Sequence, residues 1–66
     1  HNAFLEKMVG RTMSVLVEKA LPDGGEGYSD NYLKVRILDG APCRENDIIR
    51  VRIDGIHKDY LTGGIN

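Results

Sequence analysis

Tyr32-Leu33-Lys34-Val35-Arg36-Ile37-Leu38 decides the fold, because Leu33, Val35 and Ile37 fall on one side of an extended chain and Lys34 and Arg36 on the other. A period of two marks a strand with one buried face. The alternation returns over residues 48–54, where Ile49, Val51 and Ile53 oppose Arg50, Arg52 and Asp54, and Gly55 is placed to bend or end the strand. Between the two runs, Asp39 and Gly40 stop the first, and a polar loop passes through Pro42, Arg44, Glu45 and Asn46.

Further strands lie outward from this pair. Over residues 12–18, Met13, Val15 and Val17 alternate with Ser14, Leu16 and Glu18. Pro22-Asp23-Gly24-Gly25 is a dense turn signal, since Pro fixes φ, Asp caps local amides and Gly tolerates positive φ. A short strand is expected over 27–29, a turn at Asp30 and Asn31, and a last short strand over 60–65. In that last strand Gly63 and Gly64 allow a sharp turn or close packing on a neighbour. Ala3 to Val9 sets Phe4, Leu5 and Met8 at helical spacing but is too short for an isolated helix. Residues 1–9 therefore read as the tail of a preceding domain or a linker, and residues 10–66 as one barrel. The start at His1 rather than Met suggests a piece of a longer protein.

With 66 residues the chain buries only about 60% of its unfolded surface, enough for one core. A hydrophobic fraction of 41% and a charged fraction of 29% are those of a globular domain. No apolar run is long enough to cross a bilayer and no secretory signal opens the chain, so a cytoplasmic, membrane-free setting is expected, with the chain monomeric. Several short strands with regular turn signals predict an all-β, closed antiparallel barrel of about five strands, which pairs away its own edges.

Charge carries the functional expectation. If the strand at 32–38 pairs antiparallel with that at 48–54 and their apolar faces coincide, parity sets Arg36 against Arg50 and Lys34 against Arg52. Facing cations cost about 0.2–1 kcal/mol per pair, a cost that an anionic ligand relieves. The competing reading is a solvated strand face kept soluble by its cations, with Asp54 or Glu18 as counter-charges. Tyr28, Tyr32 and Tyr60 stand beside turns, where rings can stack on unpaired bases or plug the barrel. The net charge of −1 means that any attraction for nucleic acid comes from segregated charge.

Catalytic motifs are missing from the sequence. Gly25-Glu26-Gly27-Tyr28-Ser29-Asp30 lacks the third glycine and following helix of a dinucleotide fingerprint, and Ser29 fails the nucleophile-elbow pattern. His57 reads as an exposed loop residue, and Asp23, Glu26 and Asp30 as turn formers. Cys43, His1 and His57 cannot assemble a zinc site, so Cys43 is expected to be a small filler or a loop thiol.

GRTMSVLVEK at Gly10–Lys19, GYSDNYLKVRI at Gly27–Ile37 and DIIRVRIDGIHKDYLTG at Asp47–Gly63 resemble a TRAM domain. The nearest likeness is to the C-terminal domain of radical-SAM tRNA methylthiotransferases, and VLVE and NYLKV suggest the threonylcarbamoyladenosine group. The resemblance implies a five-stranded, OB-like barrel that holds tRNA. It also implies a separate radical-SAM domain of the parent enzyme that carries 4Fe-4S clusters and uses S-adenosylmethionine. No cofactor and no catalysis are expected of this chain itself. Carried onto this sequence, the likeness points to Arg11, Asn31, Tyr32, Lys34, Arg36, Arg50 and Arg52 as RNA contacts. The alternative is a protein-interaction module that docks the parent's radical-SAM domain or a ribosomal protein through the apolar surface around Phe4, Leu5 and Met8.

Overall fold

A computed structural model describes residues 5–40 and 42–65. Five strands, β1 (Thr12–Leu21), β2 (Gly24–Ser29), β3 (Lys34–Leu38), β4 (Ile48–His57) and β5 (Tyr60–Ile65), close into a barrel in the order β1-β2-β3-β5-β4. Each strand has two paired neighbours, so no edge is left open. The all-β barrel expected from the alternation is what the chain forms.

Alternation sends one residue in two inward. Val15, Val17, Val35, Ile37, Val51, Ile53 and Leu61 are fully buried, drawn from four of the five strands. Each contributes roughly 1.5–3 kcal/mol through burial. Leu5 joins this core and Met8 packs against it, held by a turn in which the Met8 amide donates to the Leu5 carbonyl at 2.9 Å. Phe4 lies outside the described residues.

Strand β1 runs three residues beyond its expected end, through a bulge between Val17 and Lys19, and β2 begins at Gly24 rather than at 27. Pro22 and Asp23 are therefore the whole turn. Gly27 explains the tight seam, because a Cβ there would overlap the Leu16 carbonyl oxygen. Strand β3 starts at Lys34, which leaves Tyr32 in the preceding turn. Gly55 bends β4 without ending it, at a register shift between Ile53 and Gly55.

The expected pairing of β3 with β4 does not form. β5 lies between them, parallel to β3 and antiparallel to β4. The connection after β3 is the reason. The Asp39 and Gly40 amides donate to the Asp23 carbonyl and the Cys43 amide to that of Gly24, so the loop is tied across the barrel end beneath β2. It then meets β1, where the Asn46 amide donates to the Val17 carbonyl at 2.7 Å, and delivers β4 to the far side of β1. Parity fixes which face of a strand is buried, but not which strand lies beside it.

Candidate nucleic-acid interface

The four strand cations form two separate pairs. In a closed five-stranded barrel, strands two places apart point outward in directions that differ by roughly 140°. Lys34 and Arg36 therefore leave one side through β3, and Arg50 and Arg52 another through β4. The register that would set Arg36 against Arg50 and Lys34 against Arg52 is replaced by Arg36 opposite Glu26 and Thr62, and Lys34 opposite Tyr28.

On the β3 side the cations are engaged within the molecule. An Arg36 Nη2 lies 3.6 Å from the Asp23 carboxylate, and its Nε is buried without a hydrogen-bond partner. The Lys34 ammonium sits 5.6 Å from the Tyr60 ring centroid, and Tyr60 leans on His57 with centroids 5.3 Å apart. His57 is exposed as expected, but it ends β4 rather than lying in a loop. Neither Asp54 nor Glu18 serves as the counter-charge. Asp54 accepts the Thr62 hydroxyl at 3.2 Å, and Asp23 takes the arginine.

On the other side, Arg50 stands opposite Ser14 and Arg52 opposite Thr12 in the β1–β4 ladder. Arg11 directly precedes Thr12, and its carbonyl accepts the Ile53 amide at 2.9 Å, which ties its backbone to the same seam. All three arginines are exposed. Among the described residues the one ion pair is Arg36–Asp23, so Arg11, Arg50 and Arg52 keep their charge available. Arg11 thus stands exposed at the end of the seam that carries Arg50 and Arg52, a position that strand parity alone did not include.

Asn31 and Tyr32 belong to the β2–β3 turn, which is built around Ser29, a polar residue only 4% exposed. Its hydroxyl donates to the Asn31 side-chain carbonyl and accepts the Leu33 amide at 3.1 Å, while the Tyr32 amide donates to the Ser29 carbonyl at 2.9 Å. This network holds Tyr32 at φ 63°, a left-handed conformation uncommon for an aromatic residue, with the residue 87% exposed. Asn31 has a local structural task in that network.

Next to this turn, Tyr28, Leu16 and Ile48 make a row across β2, β1 and β4, paired through Leu16 to both neighbours. With Tyr32 they wall a groove of about 510 Å³. Ser14 lines it too, and Ser14 is the residue opposite Arg50, so the cationic row and the groove share a boundary. The sequence expectation omitted Leu16 and Ile48. Their signal was present: Leu16 alternates with the outward residues Ser14 and Glu18 although it is apolar.

Among the described residues no three His, Cys, Asp or Glu side chains converge as metal ligands. The iron–sulfur clusters implied for a parent enzyme do not fit this chain, whose single Cys43 is half-buried against the core. Burial first, and then the nearby Asp39 carboxylate, push the Cys43 thiol above its ordinary pKa. The thiolate that ligates metal is thereby disfavoured.

No family model and no solved structure matches the chain. It is 33% identical over 70 residues to a tRNA-2-methylthio-N(6)-dimethylallyladenosine synthase from Aliarcobacter butzleri (strain RM4018). That similarity covers 98% of this chain and 16% of the relative, so the chain spans about a sixth of that protein's length. The chain is thus similar to one segment of a tRNA methylthiotransferase.

Proposed function

We propose that the chain is a TRAM-type RNA-binding module that docks tRNA for a cytoplasmic methylthiotransferase. One observation carries the reading: Arg50 and Arg52, exposed and with no carboxylate partner among the described residues, stand along the β1–β4 seam, and the exposed Arg11 follows at its end. Guanidinium groups in such a row follow a phosphate backbone by charge and by paired hydrogen bonds. The similarity to a segment of a tRNA-modifying synthase supports tRNA as the class of RNA. The threonylcarbamoyladenosine and dimethylallyladenosine branches both accommodate this role, with the base to be modified chosen by the catalytic body. A separate radical-SAM domain with 4Fe-4S clusters and S-adenosylmethionine would supply the sulfur and methyl chemistry, while this chain grips and orients the RNA. Asn31 and Tyr32 border the bound strand. Lys34 and Arg36 act at its margin, because the Tyr60 ring and Asp23 already hold them.

The alternative of docking a protein through Phe4, Leu5 and Met8 lacks a free surface in the described part, since Leu5 is in the core and Met8 packs on it.

The test is titration of the chain with a tRNA anticodon stem-loop at several salt concentrations. With about three phosphates neutralised, log affinity should fall against log salt with a slope of roughly −2 to −3. Reversing both Arg50 and Arg52 to Glu should weaken binding at least about tenfold. Arg44→Glu, in the loop at the barrel end, should change it less than about twofold. A flat salt response, or equal losses in both variants, overturns the reading.

A further inference from the structure

The geometry points to a second recognition element beside the arginine row: the groove of Leu16, Tyr28, Tyr32 and Ile48 takes a single unstacked nucleobase that carries an exocyclic amino group. This inference rests on the RNA reading and adds a base-reading site to its backbone grip.

Three features converge on it. The groove holds about 510 Å³, and its walls are two tyrosine rings and two aliphatic side chains that remain exposed, Leu16 at 40% and Ile48 at 71%. Such walls suit a flat apolar ring, and aromatic side chains stack on bases whatever their sequence. The chain also holds Tyr32 in a left-handed conformation through a nearly buried serine, although asparagine or glycine would adopt that turn without strain. What that strain achieves is the projection of an aromatic ring into solvent at the groove mouth.

Chemistry at the rim supplies selectivity. Glu18 and Asp30 line the groove, and a carboxylate only accepts hydrogen bonds. Adenine, cytosine and guanine offer an amino group to such an acceptor, whereas uracil flanks its one ring N–H with two carbonyl oxygens that repel it. The same carboxylates repel phosphate, so the backbone is steered away from the groove. It is drawn towards Arg50, across the ladder from Ser14 on the groove wall. Base and backbone are therefore received by adjacent, chemically distinct surfaces.

The experiment uses the chain with fluorescein-labelled oligomers of about six adenylates, cytidylates or uridylates, a length one OB-sized barrel can cover. Adenylate and cytidylate should bind at least about fivefold more tightly than uridylate. Tyr32→Ala should weaken binding of all three oligomers at least about threefold with the salt slope unchanged, whereas Glu18→Gln with Asp30→Asn should remove the preference for adenylate and cytidylate. Tyr32 is so exposed that the variant should melt with the parent, which thermal unfolding checks. Equal affinities for all three oligomers with a normal salt slope overturn the base site and leave the arginine row standing. Absence of binding to every oligomer overturns both. If binding shows no base preference and the chain self-associates in sedimentation until Ile48→Asp disperses it, the groove is a protein interface and the proposal fails.

Discussion

Cys43 shows how a residue's neighbours decide its chemistry. It packs against the core, and burial together with Asp39 raises its pKa, so the neutral thiol dominates across the neutral range. Alkylation by iodoacetamide near neutral pH should be several-fold slower in the folded chain than in urea, as followed by mass spectrometry. The sign of the linkage follows from the raised value. The stabilisation is complete below the ordinary thiol pKa and is lost as pH rises through the folded one. A small filler or a loop thiol was the expectation from one lone cysteine, and Cys43 is a loop residue half-buried against the core. Tyr32 was less so: its type was visible beside a turn, but its left-handed backbone depends on the serine network, which the sequence does not announce.

Strand existence was readable because the alternation of Val35 with Arg36, or Val51 with Arg52, is imposed by the pleat itself. Neighbours were not readable, since a loop tied by backbone amides to Asp23 and Gly24 carries no side-chain signature. The expectation for Gly63 was sound for a physical reason. Set between β3 and β4, it brings β5 so close that a Cβ would overlap the Arg52 carbonyl oxygen. Gly63→Ala must move one of those ladders, and should lower stability by about 1–3 kcal/mol in urea unfolding. Gly40, with nothing near its Cβ direction, owes its tolerance of φ 80° to conformation rather than to space.

At the scale of the whole molecule, the charge distribution matters more than the total. A net charge of −1 hides a side with three available arginines and another where cations are matched by Asp23 and an aromatic ring. The candidate site was legible as a set of residue types, yet only the closed strand order separates Arg50 and Arg52 from Lys34 and Arg36. The core likewise reaches beyond the barrel strands. Leu5, only 4% exposed, seals the core from outside β1, and Leu5→Ala should cost about 2–4 kcal/mol. In a domain of this size that lowers the melting temperature by about ten degrees or more, measurable by circular dichroism.

Insertion of β5 between two strands laid down earlier has a consequence for how the chain acquires its structure. Until β5 docks, β3 and β4 each offer a bare row of amides and carbonyls, and the ring stands open like a broken hoop. Joining β3 to β5 means closing a long stretch of polymer, an entropic toll that hairpins such as β1–β2 escape. The two long-range seams, β1–β4 and β3–β5, are thus the slow ones, and the interval before they close is when foreign strands can intrude.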